Sequence, residues 1–226
     1  MIYGFMHVYT VNNWEEIVSV QIQKMKDSNL WAWMECLFVG IIGEPKTQIQ
    51  FDPKIEILYQ INKPELEQSL TLSFLRMFAM TNHSDVFYVH TKGVSHFNSK
   101  PQADWRAMME YFILTKFSKC QMELERADVV GVNWHLGEGY MGASAKKAGG
   151  IEVTPHFSGN FWWSTTEYIR KLPPLYPLNS KYQCEFWIGK GKPIVAEMWH
   201  SGVHHHRSPY PESQYMNKID GVRYYG

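Results

Sequence analysis

Little in this chain of 226 residues points to a membrane, a nucleic acid or an oxidising exterior. Its three cysteines, Cys36, Cys120 and Cys184, are odd in number and far apart. They form neither a disulfide framework nor a zinc-ligand spacing, and they indicate a reducing compartment. Basic and acidic residues balance at 22 each, so no excess charge is available to grip a nucleic acid or an anionic bilayer. No apolar run approaches the ~18 residues needed to span a bilayer. Met1-Ile2-Tyr3-Gly4-Phe5-Met6 lacks the basic start and small-residue cleavage site of a signal peptide. These absences predict a cytoplasmic protein with no transmembrane segment and no nucleic-acid partner. The chain also has no GxxxxGK[ST], no GxGxxG after a strand, no G-x-S-x-G elbow and no HExxH. That counts against P-loop ATPases, dinucleotide-binding enzymes, serine hydrolases of the elbow type and zincins.

What the chain does have is aromatic residues, 15% of the total with nine Trp, and a regular alternation of strand and helix patterns. Ile2 to Thr10 reads as a first strand. Asn12 or Asn13 caps a helix with Glu15 and Glu16 in its first turn and a stripe of Trp14, Ile17, Val18, Gln21 and Met25. Cys36 to Ile42 is continuous and apolar, as in a strand covered on both faces. Ile55 to Gln60 is a third strand, and Pro64 opens a helix with Leu66, Leu70, Phe74 and Phe78 on its packed side. Asp85 to His90 is a fourth strand. The helix after it carries Trp105, Met108, Met109 and Phe112 at helical spacing, and Asp128 to Asn133 is a fifth strand. Residues 137 to 150 hold five glycines and read as a loop able to act as a lid. A helix near Glu167–Lys171, a short one at Tyr182–Ile188 and a strand at Pro193–Met198 follow, and the tail after Trp199 shows no periodicity. Such alternation predicts one α/β domain with a mainly parallel central sheet flanked by helices. In such sheets, ligands bind at the carboxyl ends of the strands.

The run His156-Phe157-Ser158-Gly159-Asn160-Phe161-Trp162-Trp163 stands out. It begins extended and breaks at Gly159, where the backbone can bend or approach a ligand. Asn160 offers an amide at the bend, and the aromatics beside it suit the apolar faces of a sugar. The same residues also suit a buried strand end. Lys92, just past a buried strand and next to Gly93, is placed either to hold a phosphate or to sit solvated in a loop. Glu185, in Cys184-Glu185-Phe186-Trp187-Ile188-Gly189, is either a carboxylate tied down at the core edge or a base with a pKa raised by desolvation. His200, His204, His205 and His206 cluster near the C-terminus and read mostly as surface residues, one of them able to close over a ligand.

Taken in order, Phe87-Tyr88-Val89-His90-Thr91-Lys92-Gly93, Trp105-Arg106 with Met109-Glu110-Tyr111-Phe112, Asp128-Val129-Val130-Gly131-Val132-Asn133-Trp134, the aromatic run and Glu185-Phe186-Trp187-Ile188-Gly189 resemble a family. It is that of small GT-A type glycosyltransferases of bacterial polysaccharide clusters and large DNA viruses, including enzymes of capsid-glycan synthesis. The motifs cover about residues 85–190, and the rest agrees by strand order. The resemblance implies a single GT-A-like domain over 1–226, with a nucleotide-sugar-binding half at 1–135 and an acceptor-binding half with the tail at 136–226. It implies sugar transfer from a nucleoside-diphosphate donor carrying UDP, GDP or dTDP to a hydroxyl of a glycan acceptor.

Within it, Glu185 is the base of an inverting reaction, and His90, Thr91, Lys92 and Arg106 hold the donor phosphates. His156, Ser158, Gly159, Asn160, Trp162 and Trp163 face sugar or acceptor, and Trp162 and Trp163 exclude water. Enzymes of this type usually carry Asp-x-Asp at the end of the fourth strand to hold a divalent metal, and here that place reads His90-Thr91-Lys92. Either Lys92 neutralises the diphosphate without a metal, or Mn²⁺ or Mg²⁺ is held by His90 with a residue of the tail such as His200. Two other readings use the same residues: a non-catalytic carbohydrate-binding module, and a nucleotide-sugar hydrolase.

Overall fold

The computed structural model describes residues 1–44, 52–137, 153–175, 182–218 and 221–226. The chain opens with β1 (Ile2–Tyr9), α1 (Trp14–Asp27), the single turn α2 (Leu30–Trp33) and β2 (Met34–Ile42). Then come β3 (Ile55–Ile61), a 3₁₀ turn at Pro64–Leu66, α3 (Ser69–Ala79) and β4 (Asp85–His90). α4 (Lys100–Glu110) widens into a π turn at Tyr111–Thr115 before α5 (Phe117–Leu124). β5 (Val129–Val132), β6 (Trp134–His135), β7 (His156–Phe157), β8 (Trp162–Thr165) and α6 (Thr166–Lys171) follow. The described chain ends with α7 (Tyr182–Phe186), a 3₁₀ turn at Trp187–Gly189, β9 (Val195–Trp199), a 3₁₀ turn at Glu212–Gln214 and β10 (Arg223–Tyr225). Beyond Gly137, the glycine-rich loop expected at 137–150 lies outside the described residues.

Local chemistry accounts for several of these elements. In α1 the acids Glu15 and Glu16 sit in the first turn and Lys24 and Lys26 in the last, matching the helix dipole. Its buried residues are Trp14, Ile17, Val18, Gln21 and Met25, the stripe read from the sequence. Thr165 caps α6 by accepting from the Tyr168 N–H at 3.2 Å. The π turn after α4 frees carbonyls, and two are taken up by side chains: Trp163 Nε1 donates to Ile113 O at 2.8 Å and Cys120 Sγ to Phe112 O at 3.3 Å. α3 departs from expectation. Leu72, Leu75 and Ala79 form its buried line, while Leu66, Leu70, Phe74 and Phe78 are only partly covered.

Eight strands make one sheet in the order β10-β9-β5-β8-β4-β1-β2-β3. Four of its seven pairings are parallel (β1–β2, β1–β4, β2–β3, β5–β9) and three antiparallel (β4–β8, β5–β8, β9–β10). The architecture is α/β, as expected, but the sheet is mixed, which corrects the expectation of a mainly parallel one. The reversal has a local cause. Phe157 to Asn160 form a tight turn, closed by the Asn160 N–H on Phe157 O at 3.0 Å, with Gly159 at φ +93° and Asn160 at φ +59°. It sends β8 back between β4 and β5. The tail, read as aperiodic, supplies β10 as an antiparallel edge strand.

Helices cover both faces of the sheet. One face packs α1, α4 and α5 around Met6, Val8, Val89 and Trp163, and the other packs α3, α6 and α7 around Phe5, Tyr88 and Trp162. Among the described residues, no helix is long and apolar enough to cross a membrane.

Candidate functional site

The strand order places the site. From β1 the sheet continues to β2 and β3 on one side and to β4 on the other, so its order switches between β1 and β4. A crevice outside the carboxyl ends of strands at such a point is where ligands of α/β sheets bind. An open cleft of about 660 Å³ lies there, lined by His7 and Tyr9 from β1 and by His90, Thr91 and Lys92 from the end of β4. Gly159, His156 and Glu185 line it from the turn before β8, from β7 and from α7. His204, His206 and Arg207 of the tail complete the wall. Six of the ten histidines therefore face one cavity: His7, His90, His96, His156, His204 and His206.

The Lys92 loop is held from below. The Thr91 hydroxyl oxygen accepts from the Tyr9 N–H at 3.0 Å, and the Thr91 N–H donates to His7 O at 3.1 Å, which ties β4 to β1. Arg106 Nη1 donates to Lys92 O at 2.8 Å. Its Nε lies 3.4 Å from Glu110 Oε1, and buried Glu110 is also bridged by Lys24 at 2.8 Å and by Gln21 Nε2 at 3.1 Å. Arg106 thus supports the loop backbone and does not line the cleft, contrary to its expected place on the donor phosphates. Lys92 Nζ lies 4.1 Å from the centre of the Trp105 ring, a cation–π distance.

Glu185 faces Lys92 electrostatically. Burial alone would push its carboxyl up, but Lys92, His156, the Gly159 N–H and His206 outweigh burial and leave it below the usual carboxylate range. The Gly159 N–H donates to Glu185 Oε1 at 2.7 Å. Of the two sequence readings of Glu185, the raised base is therefore not what the geometry gives: it is a tethered, ionised carboxylate, half-buried at the cleft. His90 Nε2 lies 2.9 Å from Gly159 O, so that nitrogen carries the hydrogen. Burial first, then Lys92, holds His90 well below the ordinary imidazole range, and its ring is neutral. His7 is likewise neutral: burial lowers it to about 3, with Nδ1 at 3.1 Å from Thr71 Oγ1.

The tail is docked, not loose. His205 is buried and stacks on Trp105 with centroids 5.2 Å apart at 10°. Asn133 Nδ2 lies 3.1 Å and Ser201 Oγ 2.7 Å from His205 Nε2. Gln102 Nε2 meets His206 Nδ1 at 3.0 Å. The tail turns here, with the Arg207 and Ser208 N–H groups donating to His204 O at 2.9 and 3.0 Å; His204 and His206 line the cleft while His205 anchors the turn.

The structure brings His90, Thr91, Lys92, His156, Gly159, Asn160 and Glu185 to one cleft. Other predicted site residues lie elsewhere. Trp162 and Trp163 are fully buried in the cores on opposite faces of the sheet, their indole N–H groups bonded to Asn160 Oδ1 and Ile113 O at 2.8 Å each. They are in no position to stack on a sugar or to shield the cleft from water. Ser158 is buried outside the cleft lining, its N–H on Asn133 O at 3.0 Å. Asn160 lines the cleft, but its amide is committed to Gln68 Oε1, Cys184 O and Trp162 Nε1. These bonds tie the turn together. His200 binds Glu197 Oε1 at 2.8 Å and is not part of the cleft wall, so the pairing of His90 with His200 around a metal is not formed.

The donor set at the end of β4, a neutral imidazole committed to a carbonyl and an ammonium, does not fit a divalent cation. Among the described residues no three His, Cys, Asp or Glu side chains converge as metal ligands. The sequence reading missed His7, Trp105 and Gln102; only the helical stripe containing Trp105 and the strand end after His7 gave any signal.

A family model described as a domain of unknown function (DUF8361) matches residues 5–143. No curated protein and no solved structure matches the chain.

Proposed function

The chain belongs to the DUF8361 family, and from the chemistry of its cleft we propose that it is an inverting GT-A type glycosyltransferase. It moves a sugar from a nucleoside-diphosphate donor (UDP, GDP or dTDP) to a hydroxyl of a glycan acceptor. One observation carries the reading: a cleft at the β1/β4 switch point is lined by both an ammonium, Lys92, and an ionised carboxylate, Glu185, which act on each other electrostatically. Two free and buried cysteines, Cys120 and Cys184, suit a reducing cytoplasm.

In this reaction the acceptor oxygen attacks the anomeric carbon as the diphosphate leaves from the opposite face, which inverts the centre. Glu185 takes the hydroxyl proton through Oε2, since Oε1 is fixed by the Gly159 N–H. Lys92 meets the charge that develops on the departing phosphate, with Arg207 also lining the cleft. No step needs a metal. Arg106 acts indirectly, by holding the Lys92 carbonyl. The binding-module reading loses its support, because the two tryptophans it relies on lie in the cores.

The test is release of nucleoside diphosphate from UDP-, GDP- and dTDP-sugars, with and without glycan acceptors. Wild type is expected to release it in an acceptor-dependent way. Glu185→Gln, which can still accept from the Gly159 N–H, is expected to stay folded and to lose about 10²- to 10⁴-fold in rate. Acceptor-independent release would favour a hydrolase instead.

A further inference from the structure

A chain of buried hydrogen bonds fixes which way one amide in the cleft faces. The Trp162 indole N–H only donates, and it meets the Asn160 side chain at 2.8 Å, so Oδ1 is the Asn160 atom on that side. The Asn160 NH₂ then faces Cys184 O at 3.3 Å and the Gln68 side chain at 2.9 Å. A carbonyl only accepts, so the contact with Cys184 agrees with this assignment. The Gln68 atom that meets the NH₂ must accept and is therefore Oε1, which also receives the Tyr88 O–H at 2.9 Å. Both bonds to the core end on Oε1, and Nε2 is left over. Nε2 has no partner among the described residues and is not an enclosed atom, and half-buried Gln68 lines the cleft. Two N–H donors are thus presented to whatever fills the cleft.

The amide is tied to the segment that carries Glu185. Asn160, which holds Gln68, follows Gly159, whose N–H holds Glu185. The same Asn160 NH₂ reaches the carbonyl of Cys184, the residue before Glu185. The backbone bends unusually to deliver Gln68 here. Glu67, just before it, has φ +47° and ψ −136°, a combination that a residue with a side chain adopts only at a cost. Gln68 thus has Glu67 as its chain neighbour and Glu185 as its neighbour through Asn160, and both acids line the same cleft. Their carboxyl groups disfavour a phosphate at Nε2, and the cleft offers Lys92 and Arg207 for that. A hydroxyl suits the place, because its oxygen accepts from Nε2 and its hydrogen can be given to a carboxyl oxygen.

We propose that Gln68 is a specificity-determining residue of the cleft, its Nε2 donating to a hydroxyl oxygen of a sugar, either the one on the donor or the one that accepts. This rests on the glycosyltransferase reading and adds to it the residue that tells one sugar from another. An amide whose oxygen is fixed by two accepted bonds keeps its N–H groups aimed. A sugar whose hydroxyl is deleted or points elsewhere leaves those donors without a partner and is bound less tightly.

Two variants of the full chain separate the N–H donors from the scaffold. Gln68→Glu keeps oxygens for Tyr88 and Asn160, and is expected to melt near the wild type, but has no N–H. Gln68→Met loses the N–H groups without adding charge. Calorimetry of the wild type with UDP, GDP and dTDP, and with their sugar nucleotides, comes first. If none binds, the glycosyltransferase reading falls, and this proposal with it. Where one binds and Gln68 reads the donor sugar, both variants are expected to lose about tenfold in affinity for the sugar nucleotide relative to the bare diphosphate. Where it reads the acceptor, both should hold the sugar nucleotide as the wild type does and raise the acceptor KM about tenfold. Side-chain amide NMR of the wild type adds a readout that needs no turnover. The Gln68 NH₂ is expected to exchange freely with solvent in the unliganded protein, and protection there overturns the proposal whatever the reaction is. Unchanged sugar affinity and acceptor KM in both variants would overturn the role of Gln68 while leaving sugar transfer standing. So would an equal loss for bare diphosphate and sugar nucleotide in Gln68→Met, which would place Gln68 on the nucleotide.

Discussion

The backbone N–H of Gly159 donates to Glu185 Oε1 at 2.7 Å, and the carbonyl of the same residue lies 2.9 Å from His90 Nε2. A single glycine therefore joins the end of β4 to α7 across the floor of the cleft. Its φ of +93° admits no ordinary side chain without strain, and a Cβ there would come within 2.5 Å of Met109 Sδ and 3.1 Å of Trp105 Cε2.

Gly159→Ala is accordingly expected to destabilise the fold by about 1–3 kcal/mol. The carboxyl of Glu185 should rise as its N–H partner shifts. Chemical denaturation reads the first effect, and carboxyl NMR titration reads the second. A variant as stable as the wild type would show that the turn relaxes without cost.

Lys92 is the largest of the influences that lower Glu185. Lys92→Met should therefore raise the Glu185 carboxyl and weaken sugar-nucleotide binding tenfold or more, a loss of about 1.4 kcal/mol. The sign of the stability effect follows from the lowered value. The contribution of Glu185 is fully present above the ordinary carboxylate pKa and is lost as pH falls through its lower folded value. In Lys92→Met that contribution shrinks. Calorimetry with each nucleotide and melting curves between pH 3 and pH 7 check both effects.

Buried neutral imidazoles give the protein an acid weakness. Burial takes His7 down to about 3, and burial followed by the neighbouring His206 takes His205 to about 4. The unfolded chain binds these protons near ~6.5, so their stabilisation is intact above that pH and is lost progressively as pH falls towards the folded values. For His7, fully enclosed, the loss approaches about 1.4 kcal/mol for each pH unit below that range. Melting temperature should drop steeply between pH 6.5 and pH 4, and His7→Gln should flatten the drop.

Trp105 carries Lys92 on one ring contact and the tail on another. Trp105→Ala should cost about 3–5 kcal/mol and free the tail. Faster proteolysis within residues 201–210 would report that release. Trp105→Phe keeps a ring beneath Lys92 and removes the buried Nε1–H, which has no partner among the described residues, so its cost should be much smaller. Equal losses in the two variants would mean that the indole N–H has a partner after all.

Much of the scaffold was legible because periodicity and burial agree there. The five-residue stripe of α1, the span Asp85–His90 and the Trp105–Phe112 face recur in the structure. α3 was misread because it carries more apolar side chains than the sheet covers. Phe74 and Phe78 lie at its margin, stacking on Tyr59 at 5.8 Å and meeting Tyr3 at 4.8 Å, while the smaller residues turn inwards. The mixed sheet was missed because a glycine break was visible but the direction of the strand after it was not.

Of the site, Lys92 and Glu185 were read singly, and nothing in the sequence showed that they share a cleft. Trp162 and Trp163 were misassigned for a reason visible in principle. Neighbouring residues of a strand point to opposite faces, so two adjacent tryptophans cannot line one pocket. Their 0% exposure is the result. The part Asn160 plays in holding the turn was not legible, because its partners, Gln68 and Cys184, come from distant parts of the chain.

Strand β8 sits between β4 and β5, pairing Tyr88 and Gly131 to either side of Trp162. It acts as a keystone that arrives late. A growing polypeptide that has emerged only as far as β5 has made every neighbour of this strand and left the seam between them open. The edge of β4 is then bare, with its backbone donors and acceptors unpaired. The two halves of the sheet join only once residue 165 is free of the ribosome, through pairings more than 70 positions apart for β4, which sets assembly on the slow side for a domain of this size.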